Sequence, residues 1–349
     1  MKIAIHHRSG SYSDQWIEYC KANSIPYKIV NCYQSDIMQQ MADCDGLMWH
    51  YNQNDYRGFL CARQITNSLE LCGKKVFPDS KTSWHFDDKV GQKYLLEAIK
   101  APIVPSYIFY EKKEALRWCE DATFPKVFKL RCGAGSENVK LVQSKTAAKK
   151  LINKAFGGGF VLLDRYELFR ESIWRVKRDR DLNSFFRLIK SIGRIFVATE
   201  LERFLGKEKG YIYFQDFIPD NKYDMRIYVM GDHAFGLKRL VRENDFRASG
   251  SGLIVFDKEQ ISKECVKLAF HITRKMKAQS LAFDFIHQDN QPLLVEVSYA
   301  SVQKTYLSCP GYWDRQLKWH EGNFKIEDIM AANFIEQIEE GKILIQKQN

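Results

Sequence analysis

No run in the 349 residues approaches the roughly 20 consecutive apolar residues that a membrane-spanning helix needs. No apolar core with a cleavage site follows the first residues, MKIAIHHRSG, which alternate like a strand instead. None of the nine cysteines belongs to a C-x-x-C pair, and nine is an odd number, so neither a disulfide framework nor a zinc pattern is present. The thiols are expected to be reduced and structural, in a cytoplasmic protein. Proline is scarce at eight residues, with 20 glycines, which leaves little room for long flexible linkers. Gly-Lys-Ser/Thr opening a helix is missing, and so is G-x-G-x-x-G, which excludes a P-loop and a dinucleotide fingerprint.

What is present is ordinary globular composition, 45% hydrophobic and 28% charged, at a length that suggests two or three lobes. The net charge of +10 favours an acidic partner: nucleotide phosphates, a nucleic acid, an anionic glycan or a membrane surface.

The first 80 residues alternate strand and helix. Strands are expected at Lys2–His6, Tyr27–Asn31, Gly46–Trp49 and Lys75–Phe77, with helices at Asp14–Lys21, Ser35–Met41 and Arg57–Leu71. That alternation implies a parallel sheet with helices on its faces. A helix over Asp87–Ile99 and another over Lys112–Cys119 follow. A βαβ-like small lobe comes next, with strands Lys126–Leu130 and Val139–Val142 and a helix Lys145–Ala155. Beyond Tyr211 strands dominate, interrupted by one amphipathic helix, Lys258–Lys277, and the tail from Ile326 to Ile345 reads as helical. The expected domains are 1–85, a central lobe 86–210 and a C-terminal lobe 211–349.

The segment SLAFDFIHQDNQPLLVEVSYA reads as an antiparallel hairpin. A turn centred on Asn290 sets Asp284 opposite Glu296, with Ser298 on the same face and Phe283, Phe285, Val295 and Val297 turned to a core. Like charges in direct opposition repel, which a divalent cation such as Mg²⁺ would offset. A solvated strand pair with two unrelated acids is the other reading. Upstream, Val127 and Lys129 share one strand face. The loop CGAGS, with Gly133, Gly135 and Ser136, offers backbone N–H groups to a phosphate, or is an ordinary turn. Tyr213–Pro219 could present backbone amides and an apolar wall to a flat base. Arg226, Arg239 and Arg247 fall at strand ends directed toward the hairpin, where guanidinium forks suit phosphate and carboxylate.

In this order the elements resemble the ATP-grasp ligases, in the branch of the ribosomal-protein glutamate ligase and bacterial glutathione synthetase. The resemblance covers about residues 75–300. Asp88-Lys89, Phe124-Pro125 with Lys129 and the glycine loop, Tyr213–Ile218, Asp224-x-Arg226, Asn244–Arg247 with Gly250–Gly252, and Asp284 with Glu296 carry it. It implies an α/β protein with α+β lobes: an N-terminal parallel domain and a nucleotide held between two lobes. Lys89 and Lys129 would hold ATP phosphates, with Gly133, Gly135 and Ser136 in the loop. Gln215, Asp216, Phe217 and Ile218 would contact adenine, and Asp224 the ribose side. Arg226, Arg239 and Arg247 would neutralise the transferred phosphoryl group, and Asp284 and Glu296 would hold two Mg²⁺. The implied reaction joins a carboxylate to an amine through an acyl phosphate. The resemblance also suggests a homodimer.

Two features depart from that family. Its Glu-x-Asn is here Glu296-Val297-Ser298, so a serine stands where the third metal ligand is expected. A basic insertion, Arg165–Arg194, carries nine Lys or Arg against four acids, interleaved with aromatics. It is either a solvated arm or a clamp for an anionic substrate, such as an acidic surface glycan or a peptide or protein carboxylate. Tyr306–Trp319 is a candidate substrate wall or a tail packed on the core. A rival of another class is a nucleic-acid or anionic-polymer binder with a degenerate nucleotide site. The Asp284/Glu296 pairing argues against that as the main role.

Overall fold

The computed structural model describes residues 1–349 apart from 53–54, 134–137, 162–168, 170–171, 175, 177–184, 187, 190–191, 193–199, 243–244, 302–304 and 349. Most of the basic insertion, together with Gly135, Ser136 and Asn244, therefore lies outside the described residues. The chain forms two compact units. One comprises 1–86, 95–103 and 221–349, the other 87–94 and 104–220.

The first unit begins with β1 (Ile3–His6), α1 (Tyr12–Ala22), β2 (Tyr27–Val30), α2 (Ile37–Gln40), β3 (Gly46–Met48), α3 (Tyr56–Leu71), β4 (Lys75–Phe77) and α4 (Ser80–Ser83). The four strands pair in parallel in the order β2-β1-β3-β4, as the short strand–helix alternation requires. Its helices start where side chains can satisfy free backbone N–H groups. Ser11 accepts from Ser13 ahead of α1, and Asp55 accepts from Arg57 ahead of α3.

The second unit takes the first turns of α5 (Lys89–Ala98), then β5 (Ser106–Phe109), α6 (Lys112–Asp121), β6 (Lys126–Lys129), β7 (Lys140–Val142) and α7 (Lys145–Ala155). It continues through β8 (Phe160–Val161), α8 (Glu200–Leu205), β9 (Lys207–Glu208) and β10 (Ile212–Asp216). Its main sheet runs β5-β10-β6-β7 and is antiparallel throughout, so the βαβ expectation fails here. The strand β10, placed by sequence with the C-terminal lobe, pairs between β5 and β6, which lie about a hundred residues upstream. One face of this sheet is covered by Ala115, Cys119, Ala148 and Ile152 of α6 and α7, packed on Phe128, Leu130 and Phe214.

The first unit resumes with β11 (Tyr223–Met230), β12 (His233–Leu240), β13 (Ile254–Val255), α9 (Lys263–Met276), β14 (Ser280–Gln288), β15 (Gln291–Ser298), β16 (Gly311–Trp313), β17 (Trp319–Glu321) and α10 (Ile326–Gln348). These strands form one sheet, β15-β14-β11-β12-β16-β17, with β13 on β12. The expected helix Lys258–Lys277 is split. A 3-10 turn at Lys258–Gln260 ends before Ser262, whose hydroxyl caps α9 by accepting from Cys265.

The large sheet has two differently covered faces. Met225, Ile227, Val229, Leu281, Phe283 and Phe285 pack under α9. Tyr228, Met230, Phe235, Leu237 and Ala282 on the opposite face share a core with Ile3, Ile5 and Trp16 and with Met330 and Phe334 of α10. The N-terminal sheet is thus part of the same unit as the C-terminal strands. Tyr306 and Trp313, offered above as a substrate wall, are buried in these two cores. That segment packs on the core.

Candidate active site

The hairpin brings Asp284 opposite Glu296, though by a different route from a turn centred on Asn290. The loop is the two-residue Asp289-Asn290, with φ of 50° and 63°, the conformation of a type I′ turn. Near the turn, Phe285 pairs with Leu294. A bulge between Asp284 and Phe285 then shifts the register, so that Asp284 meets Glu296 and Phe283 meets Val297. The bulge lets Leu294 and Val297 both turn to the core, at 1% exposure each, while Glu296 keeps the face of Asp284. Val295, expected in the core, is the extra residue and is only half-buried.

The repulsion expected at Asp284 is met by arginines. Arg226, opposite Asp284 on β11, donates from Nε and Nη2 to both carboxylate oxygens at 2.6 and 2.7 Å. Arg239 on β12 donates to Asp284 at 2.8 Å and also grips Asp224 at 2.7 and 2.5 Å. Asp224, assigned above to the ribose side, is therefore bound to Arg239 across the β11–β12 ladder. Burial alone would raise the Asp284 carboxyl. The two guanidiniums outweigh it and hold Asp284 well below the usual carboxylate range. The result is a row of alternating charge, Asp224–Arg239–Asp284–Arg226, with Glu296 beside it. Arg247 lies in the loop beyond β12, where Asp245 holds its guanidinium at 2.8–3.1 Å.

A hard cation can be tested against these donors. Asp284 has about four lone-pair sites and three are taken by guanidinium N–H groups. One remains, on Oδ1, on the face shared with Glu296. The Ser298 hydroxyl is tied to its own turn, donating to Ala300 O at 2.9 Å and accepting from Ala300 N at 3.3 Å. Glu296 with one position of Asp284 fits Mg²⁺ chemistry, and Ser298 is the weakest of the three donors. Among the described residues no cluster of three or more His, Cys, Asp or Glu is placed to hold a metal ion.

In the other unit, Val127 and Lys129 pair with Gln215 and Tyr213, so these four side chains share the face turned away from α6 and α7. Tyr213 and Gln215 both donate to the Ser106 hydroxyl at 3.0 Å, which fixes the Gln215 amide. Lys129 is 5% exposed. Lys89, at the start of α5, is also buried. Its backbone N–H reaches Arg131 O at 2.9 Å and its ammonium reaches Gly133 O at 2.5 Å. Lys89 is thereby attached to the glycine loop, whose Gly133 donates to Asp87 at 2.9 Å. Lys126 is the first residue of β6. It is buried and donates to Asp216 at 2.6 Å, so the Asp216 carboxylate is engaged inside its own unit. Phe217 and Ile218 follow β10 and are half-exposed.

Residues 195–309 match the RimK-like ATP-grasp domain family. Similar solved structures extend over nearly the whole chain. A RimK domain ATP-grasp protein from Sphaerobacter thermophilus is 14% identical, covers 96% of this chain and 100% of its own, and has a TM-score of 0.56. The protein has the ATP-grasp fold. The ATP-grasp ligase PsnB, solved with a minimal precursor, Mg and ADP, is 12% identical, with coverage of 97% and 98% and a TM-score of 0.55. The D-alanine–D-alanine ligase of Bacillus anthracis, solved with ATP, is 11% identical, with coverage of 97% and 98% and a TM-score of 0.53. Among curated protein sequences none matches. No helix among the described residues is long and apolar enough to cross a membrane.

Proposed function

We propose that this ATP-grasp protein is an ATP- and Mg²⁺-dependent ligase that joins a carboxylate to an amine and releases ADP and phosphate. The observation that carries the reading is the charged row on the large sheet, two arginines and three carboxylates held in register on four neighbouring strands. A binding protein for nucleic acid has no use for such a row. The likeness to ATP-grasp ligases solved with ADP and Mg, or with ATP, supports it.

In this reading Lys89, Lys129 and the Gly133 loop hold the nucleotide phosphates, and the face bearing Gln215 with Phe217 and Ile218 takes the base. Glu296, with Asp284, would hold Mg²⁺, which neutralises phosphate charge when bound. The substrate carboxylate attacks the γ-phosphorus, the bond to the β,γ-bridging oxygen breaks, and ADP leaves. Arg226, Arg239 and Arg247 supply positive charge for the transferred group and for the acyl phosphate. An amine then attacks the acyl carbon, inorganic phosphate leaves with the C–O bond electrons, and the amine proton passes to solvent. No enzyme nucleophile is needed, in keeping with nine free cysteines that are mostly buried and with a reducing, cytoplasmic setting.

Calorimetric titration with MgADP tests this. The wild type should bind, and both Lys129→Ala and Glu296→Ala should weaken binding by about tenfold or more. A wild type that binds no nucleotide at millimolar concentration would sink the ligase reading.

A further inference from the structure

The carboxyl edge of the parallel sheet carries a cavity of about 440 Å³. It lies where the chain leaves β1 and β2 and where α3 begins, and His6, Arg8, Asn31, Tyr33 and Arg57 help to line it. Ligands of open α/β sheets sit outside this edge.

The lining is built around His6, which is only 8% exposed. Its Nδ1 accepts the Cys32 N–H at 3.0 Å, so the neutral ring carries its proton on Nε2. Tyr33 and Trp49 fix the ring, with centroids 5.0 and 5.3 Å away. The Nε2–H has no hydrogen-bond partner among the described residues. Burial, helped by Arg57, pushes this imidazole down to about 4, so it is a neutral donor near pH 7. Beside it, Arg57 donates to Asp55 at 3.0 and 2.9 Å and lies 4.1 Å over the Tyr33 ring, while the Tyr33 hydroxyl donates to the same Asp55 at 3.0 Å. Asp55 thus cancels Arg57. Arg8, just past β1, has no acidic partner among the described residues and is the uncompensated cation of the lining.

One unbalanced guanidinium and one fixed neutral N–H match a carboxylate, a single charge spread over two acceptor oxygens. The second charge of a phosphate would find no counter-ion there. The volume exceeds that of a bare carboxylate and leaves room for an amino-acid-sized body. A chain of packed rings leads from His6 of the lining through Trp49 toward the end of β15. Trp49 packs on Tyr51 and Tyr51 on Tyr299, with centroids 5.5 and 5.4 Å apart, and Tyr299 directly follows Ser298.

We propose that this cavity binds the carboxylate of an amino-acid-sized ligand. As a substrate site it rests on the ligase reading, whereas carboxylate binding itself does not. The test is calorimetry on the full chain without nucleotide, using N-acetyl-L-alanine, its uncharged carboxamide and inorganic phosphate. The acid should bind, the carboxamide about tenfold or more weaker, and phosphate no tighter than the acid. Arg8→Gln, an exposed change, should weaken the acid by about tenfold or more and leave MgADP binding as it was. No binding of the acid at tens of millimolar overturns the proposal. So does equal binding of the carboxamide, tighter binding of phosphate, or an unaffected Arg8→Gln. A wild type that binds the acid but not MgADP removes the ligase reading and leaves the carboxylate site standing.

Discussion

At the scale of single residues the most consequential feature is Asp284, a buried carboxylate between two guanidiniums. Such clusters contribute little net stability, because desolvation offsets the attraction, but removing one member strands the others. Asp284→Ala should therefore destabilise the first unit by about 3–5 kcal/mol in urea unfolding, which makes it a poor probe of metal binding. Glu296, half-buried and beside the row, is the cleaner position. Two histidines add a pH dependence. Burial lowers His6 to about 4 and His50 to about 3. Unfolded, each ring would protonate near 6.5. Between those values the unfolded chain binds more protons, so stability is full above about pH 6.5 and falls as the pH drops toward 4. Urea midpoints at pH 7.5 and 5 should differ by the equivalent of about 2 kcal/mol per ring, and His6→Gln should remove its share. None of this pairing was legible in the sequence. Arg226, Arg239 and Asp284 could be singled out by type and spacing. Which carboxylate each guanidinium would take depends on ladders that join residues 58 and 15 positions apart.

At the scale of elements, legibility followed how local the determining interactions are. The parallel sheet could be read because each strand and helix closes within about 25 residues and alternates plainly. The position of β10 could not, since its partners lie far upstream and nothing in YIYFQDF distinguishes an insertion between two strands from an edge. The hairpin is the instructive case. The Asp284–Glu296 pairing follows from a turn centre one half-residue away from the real one, and the Val295 bulge makes up the difference. A period-two pattern cannot register a bulge, but four residues reading Leu-Val-Glu-Val strain it. The turn makes a prediction of its own. Asn290 sits at φ 63°, where a β-branched side chain is penalised. Asn290→Val should cost about 1–2 kcal/mol in thermal unfolding, and Asn290→Gly should be neutral or mildly stabilising. Lys277, which ends α9 at φ 53°, is the reverse opportunity. Lys277→Gly should stabilise by up to about 1 kcal/mol, visible as a raised Tm.

At the scale of the whole molecule, the first unit is assembled from three separated stretches, 1–86, 95–103 and 221–349. Its largest core joins strands near the N-terminus to the C-terminal helix α10. The tightest point of that junction is Gly46 on β3. A Cβ there would stand 2.7 Å from Phe334 Cζ and 2.9 Å from Lys75 O. Gly46 therefore lets α10 approach the parallel sheet at a distance no other residue permits. Gly46→Ala should cost about 1–3 kcal/mol, through overpacking that a core at native density cannot absorb. Phe334→Leu should cost on its own, because it opens space in the same place. The double variant separates junction from strand. If α10 and β3 are held by this contact, Phe334→Leu relieves much of the clash, and the double variant loses less than the sum of the two single losses by about 0.5 kcal/mol or more. Strict additivity in urea unfolding would mean that the Lys75 carbonyl, with Ile338 Cδ1 at 3.2 Å, sets the limit at Gly46. The helix would then be anchored elsewhere, through Met330 and Ala331, which are buried in the same core.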